Sequence, residues 1–108
     1  MRTILQPGEG TITGTYLPSR VEEVTWGWLP NAKTNPVLEI GNGEVVTIDT
    51  VSHEGLLGDQ GRDPNSYFAQ WNVQEVLQDV VDIAASEIPN GPQDGPHIVT
   101  GPIHVSGA

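Results

Sequence analysis

The sequence contains no cysteine. This absence excludes structural disulfides, zinc sites with thiolate ligands, and enzymes whose nucleophile is a cysteine. Any metal ligand or catalytic group in this chain must therefore come from imidazole, carboxylate, hydroxyl or backbone atoms.

Basic residues are scarce. Four Lys and Arg stand against fourteen Asp and Glu, so the formal net charge is −10 and the isoelectric point is about 4.3. A chain of this charge is repelled by phosphate backbones and by anionic lipid headgroups. We therefore expect neither a nucleic acid nor a membrane as partner.

Long hydrophobic runs are also missing. The N-terminal stretch "MRTILQPGEG" reaches Gln6, Pro7 and Gly8 directly after Ile4 and Leu5. A secretory signal or a membrane span needs a longer apolar segment than this. The sequence therefore predicts a soluble chain in the cytoplasm.

The length and the turn-forming residues predict one mainly β domain over residues 1–108. A chain of 108 residues suffices for a single core. Thirteen Gly and nine Pro divide it into short segments, which is typical of brief strands joined by turns. Within residues 21–28, Val24, Trp26 and Trp28 alternate with Thr25 and Gly27 and so predict a strand with both tryptophans on one face.

Two further regions have the pattern of strands. Residues 37–40 and 44–51 flank Gly41-Asn42-Gly43, whose glycines tolerate the positive φ of a tight turn, so we predict a hairpin. Residues 97–105, "HIVTGPIHV", predict two strand segments separated at Gly101-Pro102, because proline has no amide hydrogen to donate.

Between these strands we predict a long loop over residues 52–65 and one helix. Over residues 72–88, apolar side chains recur at intervals of three and four residues. Asn72 is the expected N-cap, Glu75 can complete a capping box, and Pro89 ends the helix. The acidic residues of this helix are expected to form a solvated face: Glu75, Asp79, Asp82 and Glu87.

Candidate site residues are concentrated near the end of the predicted hairpin and in the loop after it. Imidazole and carboxylate groups together suit zinc and other divalent hydrolytic metals, which activate a bound water. No HExxH motif is present, and solvated acids with structural histidines are the alternative reading. The candidates are Asp49, His53, Glu54, Asp59 and Asp63, together with His97 on a later strand.

Other chemistries fit less well. The segment "GEGTITG" lacks the lysine and the following helix of a phosphate-binding loop. Ser52 and His53 are adjacent, but neighbouring side chains on a strand point to opposite faces, so they would not form a nucleophile and its base.

Three stretches, in order along the chain, resemble the N-terminal portion of the acetamidase/formamidase family. They are "VEEVTWGWLPNAKTNPVLEIGNGEVVTIDTVSHEG" (21–55), "VQEVLQDVVDIAAS" (73–86) and "GPHIVTGPIHVSGA" (95–108). The last is the most specific, because family members resemble "H-x-x-TGPI-x-VEGAEPGD" here. This chain follows that pattern through Ala108, with Ser106 where Glu is usual.

The resemblance implies a jelly-roll-like β-sandwich with one helical insertion, at about residues 72–88. It also implies hydrolysis of a short aliphatic amide, such as formamide or acetamide, to a carboxylate and ammonia, assisted by a divalent metal such as zinc. On this basis His53 and His97 are the expected metal ligands, with Asp49 and Asp59 as further ligands, and Glu54 is the expected catalytic base.

The family pattern continues beyond "VSGA", so we expect residues 1–108 to be an incomplete domain that associates with a C-terminal part or forms a homo-oligomer. The alternative function is that of a non-catalytic β-sandwich module for binding or assembly. In that case apolar surfaces normally covered by further strands would drive association.

Overall fold

The computed structural model describes residues 4–108. Within this range the chain forms six short strands: β1 (Thr15–Leu17), β2 (Val24–Trp26), β3 (Leu38–Ile40), β4 (Val46–Ile48), β5 (Ile98–Thr100) and β6 (Ile103–Val105). The same range holds two α-helices, α1 (Pro64–Ala69) and α2 (Gln78–Ala85), and two short 3₁₀ turns, Val21–Glu23 and Gly58–Gln60. The prediction of a mainly β chain is therefore confirmed in this general form, with two α-helices in place of the single predicted one.

In the described part of the chain, the strands pair two by two. β1 lies parallel to β4 with Thr15 beside Val46, and β3 lies parallel to β6 with Leu38 beside Ile103. β2 is antiparallel to β5, so that Trp26 lies beside Ile98. Most of the paired segments are distant in sequence, and the fold therefore depends on long-range contacts.

The predicted hairpin over residues 37–51 is wrong. A turn does form at its centre, where the Glu44 amide donates to the Gly41 carbonyl at 3.2 Å and Gly43 has a φ of +85°. The strands on either side of this turn nevertheless pair with β6 and β1 instead of with each other. The turn residues make the chain change direction, but the strands on either side pair with segments that are distant in the sequence.

The predicted interruption at Gly101-Pro102 is confirmed. β5 ends just before this cis peptide and β6 begins just after it. The Gly101 amide donates to the Glu23 carbonyl at 2.9 Å, and the Pro102 carbonyl accepts from the Val37 amide at 3.0 Å. The two strand segments can thus join two different sheets.

The helix predicted over residues 72–88 is shorter in the structure and begins later. Asn72 is not its cap, because α2 begins only at Gln78 with Leu77 at the N-cap position, and Asn72 has a left-handed φ of 65°. The first turn of α2 is instead held by the side chain of Gln6. Its Oε1 accepts from the Gln78 amide at 2.8 Å, and its Nε2 donates to the Val76 carbonyl at 2.9 Å. A distant side chain therefore sets where α2 begins.

Helix α1 begins inside the predicted loop of residues 52–65. Asp63 is its N-cap and accepts from the amide and hydroxyl of Ser66 at 3.4 and 2.9 Å. Pro64 occupies the first helical position, where a missing amide hydrogen costs nothing. The sequence signal for this helix, Asp-Pro followed by Ser, was present but short.

The hydrophobic core lies between β2, the segment after β4, and α2. Trp26 is only 2% exposed, whereas Trp28, predicted to lie on the same strand face, is 40% exposed because the strand ends before it. The Arg62 guanidinium lies 4.7 Å from the centre of the Trp26 ring and also donates to carbonyls at the end of α2. The buried members of the core are Val24, Trp26, Leu56, Val80 and Ile83.

The predicted solvated face of the second helix is wrong at Asp79. This residue is only 4% exposed, and it lies on the inward side of α2 next to Val80. Asp82 is exposed as predicted. The inward face is set by Val80 and Ile83, three residues apart, and Asp79 is carried inward with them.

No helix in the described range of residues 4–108 is long and apolar enough to cross a bilayer.

Substituting Gly27 tests the close approach of β2 to the segment before β5. Gly27 has a φ of +89°, and a Cβ there would lie 2.3 Å from the Gly95 carbonyl oxygen. Gly43 has a matching φ of +85°, with no described atom within 4 Å of an added Cβ. We expect Gly43→Ala to cost about 1–2 kcal/mol for its left-handed backbone.

Gly27→Ala is expected to cost at least about 1 kcal/mol more than Gly43→Ala, because the neighbouring backbone must also move. Unfolding in urea, monitored by circular dichroism, measures both. Equal losses in the two variants would show that the approach of Gly27 to Gly95 is not tight.

Candidate functional site

The two histidines singled out from the sequence, His53 and His97, lie next to each other. Their ring centres are 5.1 Å apart, and the rings meet edge to face at 61°. His97 precedes β5, and its carbonyl accepts from the Gly27 amide at 2.7 Å. The His53 carbonyl accepts from the amide of the fully buried Leu56 at 2.9 Å. The β2–β5 pairing and the core thus bring together two residues from distant parts of the sequence.

Glu54 joins this pair through its carboxylate. Its Oε1 lies 3.5 Å from Nε2 of His53. Its Oε2 accepts hydrogen bonds from the Tyr67 hydroxyl at 2.6 Å and from Gln60 Nε2 at 3.1 Å. The carboxylate is therefore oriented by two donors on one oxygen and faces an imidazole with the other.

These contacts favour the charged form of Glu54. The hydrogen bond from Tyr67 lowers the pKa of Glu54, partial burial opposes this effect, and the bond from Gln60 and the nearby His53 add to the lowering. Conversely, the hydrogen bond to Glu54 raises the pKa of the Tyr67 hydroxyl. Glu54 is thus kept charged beside His53.

Sequence reasoning missed Tyr67 and Gln60. Tyr67 lies on α1, and Gln60 lies in the 3₁₀ turn before it. Gln60 also accepts from the Gly55 amide at 2.8 Å, which ties the turn back to the residue after Glu54. Both residues were missed because the sequence predicted an irregular loop over this region. The 3₁₀ turn and α1 are what direct the Gln60 and Tyr67 side chains toward Glu54.

No hydrogen bond or ion pair joins Asp49 or Asp59 to either histidine in the described part of the chain. The Asp49 carboxylate accepts a hydrogen bond from the Tyr16 hydroxyl. Asp59 is exposed in the 3₁₀ turn, and Asp63 is the cap of α1. His53, His97 and Glu54 are therefore the candidate site residues that the structure brings together.

The described side chains do not form a metal-binding group. The described residues include no group of three or more His, Cys, Asp or Glu placed to hold one. Protein zinc sites use three or four protein ligands. The described residues therefore do not form a complete zinc site, and the role of His53, His97, Asp49 and Asp59 as metal ligands stays a prediction.

Comparisons with family models, with curated proteins and with solved structures found no match to this chain. The likeness to the acetamidase/formamidase family thus remains an interpretation of the sequence.

Substituting Tyr67 tests how Glu54 is held. We expect Tyr67→Phe to raise the pKa of Glu54 toward its usual range, because the largest cause of the lowering is lost. Glu54 has a lower pKa when folded than when unfolded, so its stabilising effect is present above the unfolded pKa and is lost as pH falls through the folded value. The variant should therefore lose less stability on acidification than the parent.

The measurement is an NMR titration of the Glu54 carboxyl carbon. Tyr16→Phe is the matched control, since it removes a hydroxyl that is bonded to Asp49 instead. A Glu54 pKa that is unchanged in Tyr67→Phe would contradict the assigned hydrogen bond.

Proposed function

We propose that this chain forms part of an amidase that hydrolyses short aliphatic amides, such as formamide or acetamide, to a carboxylate and ammonia. Two arguments support the proposal. The sequence resembles the acetamidase/formamidase family in three ordered stretches, and the two histidines quoted from that resemblance are 5.1 Å apart in space. The meeting of His53 and His97 beside Glu54 is the observation that carries the proposal.

In this proposal a side chain of this protein carries the proton from the attacking water to the departing nitrogen. Hydrolysis adds water to the amide carbon, breaks the C–N bond and transfers a proton to the departing nitrogen. Glu54, charged and oriented by Tyr67 and Gln60, is suited to accept the proton from the attacking water. Glu54 can then return this proton to the departing nitrogen, so that ammonia leaves and the carboxylate is regenerated, while His53, 3.5 Å from Glu54, keeps the ligand role that the resemblance implies. Metal assistance is part of the same expectation, but no step is derived through it.

The finer fold class is proposed on the same basis. A jelly-roll-like β-sandwich requires larger sheets than the two-stranded ones of the described residues. We propose that the sandwich is completed by further strands, from a C-terminal part or from another copy of the chain, and that the protein works in the cytoplasm.

A second candidate function, an assembly module, is favoured by the exposed surface. The radius of gyration is 15.1 Å, against roughly 13 Å for a compact domain of this length. Large apolar side chains are exposed, among them Leu29 and Trp71 at 77% and 58%. Sedimentation measures the oligomeric state, and the ammonia assay measures the activity. A stable oligomer that releases no ammonia would favour this function over catalysis.

The test of the amidase is ammonia release from formamide and acetamide by the purified chain. We expect Glu54→Gln to lower the rate by about 100-fold or more, as for loss of an acid–base group, and His53→Ala and His97→Ala to lower it as well. His104→Ala is the matched control, because His104 is an exposed histidine on β6 that faces Glu39. This variant should keep the parent rate.

Two further arms make the assay decisive. Treatment with a chelator followed by added zinc tests metal assistance, which predicts loss and then recovery of the rate. A chain that is folded by circular dichroism, yet releases no ammonia from either amide with or without zinc, would contradict a working site in these residues. Equal losses in the His53, His97 and His104 variants would also contradict it.

A further inference from the structure

A cavity of about 170 Å³ borders Glu54, the proposed catalytic base, and we call it the Glu54 cavity. Ser52 and Glu54 contribute to it from the segment after β4. Most of its wall is apolar and comes from three separate stretches of the chain: Ile4, Phe68, Val73, Val76, Leu77 and Val80. An apolar cavity that meets a single oriented polar group has the composition of a small-molecule site.

Helix α1 forms one side of the Glu54 cavity and also orients Glu54. A Cβ added at Gly55 would lie 3.3 Å from Cε2 of Phe68, so the Phe68 ring packs against the backbone beside Glu54. Tyr67, the preceding residue of α1, donates to the Glu54 carboxylate at 2.6 Å. The same helix therefore supplies an apolar wall and the donor that fixes the carboxylate next to it.

The opposite side of the cavity is formed by the chain that leads into α2. The Val73 amide donates to the Phe68 carbonyl at 3.2 Å, which holds Val73 against the end of α1. The Val76 carbonyl accepts from Gln6 Nε2 at 2.9 Å. Val80 is only 5% exposed and belongs to the hydrophobic core. These contacts fix the apolar wall, so the cavity is formed before any ligand enters it.

The charges on the wall favour a neutral ligand. None of the described wall residues is a Lys, Arg or His. Glu54 is kept charged by its hydrogen bonds, and Glu75, which also lies on the wall, takes part in an interaction of its own. An anionic ligand is repelled by this wall, whereas the N–H group of an amide can donate to a carboxylate oxygen.

The size of the cavity favours an alkyl chain over a formyl or acetyl group. An apolar cavity of about 150 Å³ accommodates a benzene molecule. Butyramide has the same number of non-hydrogen atoms as benzene, and the Glu54 cavity is of similar volume. Formamide and acetamide would leave most of the apolar wall without a contact.

We propose that the Glu54 cavity binds the alkyl chain of a primary amide such as propionamide or butyramide, with the amide group at Glu54 and the chain between Phe68 and Val73. This inference rests on the proposed amidase function, because that function makes Glu54 the catalytic base. It adds that the preferred substrates have longer acyl chains than formamide and acetamide.

The first test measures binding with two probes that are not hydrolysed, 1-propanesulfonamide and methanesulfonamide. They carry the alkyl chains of butyramide and acetamide on an uncharged NH₂-bearing group. In an NMR titration of the ¹⁵N-labelled chain, we expect saturable shifts at amides of the cavity residues. The propyl compound should bind about 15-fold more tightly, because each buried methylene contributes about fourfold. Equal affinities, or no saturable shift with the propyl compound, would overturn the proposal.

Two valine variants separate the cavity from general surface binding. Val73 lies on the cavity wall and is 41% exposed, whereas Val45 lies off the wall and is 58% exposed. Because both side chains are partly exposed, Val73→Asn and Val45→Asn should fold, which circular dichroism checks. Val73→Asn should weaken binding of 1-propanesulfonamide by about threefold or more, while Val45→Asn keeps the parent affinity. Equal losses in both variants would contradict the assigned wall.

The ammonia assay then distinguishes this proposal from the amidase proposal. If both hold, kcat/KM for butyramide exceeds that for acetamide by about 15-fold. Hydrolysis of acetamide as fast as butyramide would overturn the chain-length preference and leave the amidase intact. Tighter binding of the propyl probe without ammonia release from any amide would support the alkyl-binding cavity and contradict the amidase.

Discussion

Trp26 is buried against Leu56, Val80 and Ile83, and its backbone pairs β2 with β5. Its indole N–H donates to the Pro96 carbonyl at 2.9 Å, and the Asn90 side chain donates to its carbonyl at 3.1 Å. These two hydrogen bonds attach the segment that precedes β5 to the core, directly beside His97. The placement of His97 beside His53, and therefore the candidate active site, depends on this one buried tryptophan and its strand.

The segment of residues 49–54 places carboxylates in two different surroundings. Asp49 lies at its start and shares the wall of a second cavity with Asp79, whereas His53 and Glu54 lie at its end near His97. The surroundings of Glu54 and Asp79 shift the pKa values of these two carboxyl groups in opposite directions. Donors from Tyr67 and Gln60 favour the charge on Glu54, while burial disfavours the charge on Asp79. Glu54 thus carries its charge beside His53, whereas burial works against a charge on Asp79.

Local patterns predicted several elements well. Alternating side chains located β2, and the glycine and proline positions located the turn at residues 41–43 and the interruption at Gly101-Pro102. The same reasoning failed for α1, whose Asp63 and Pro64 signal is short, and for the start of α2. Tyr67 was missed for that reason, because its role depends on the helix that aims it at Glu54.

The sequence by itself determined the acidic charge, the absence of thiol chemistry, the positions of most short strands, and the choice of His53, His97 and Glu54 as candidates. Only the tertiary structure decided which strands pair, that Gln6 holds the start of α2, and that Asp79 is buried. The reason is physical. Alternation describes the two faces of a strand but not its hydrogen-bonding partner, and the open amides at a helix start donate to any suitable oxygen that the fold brings near.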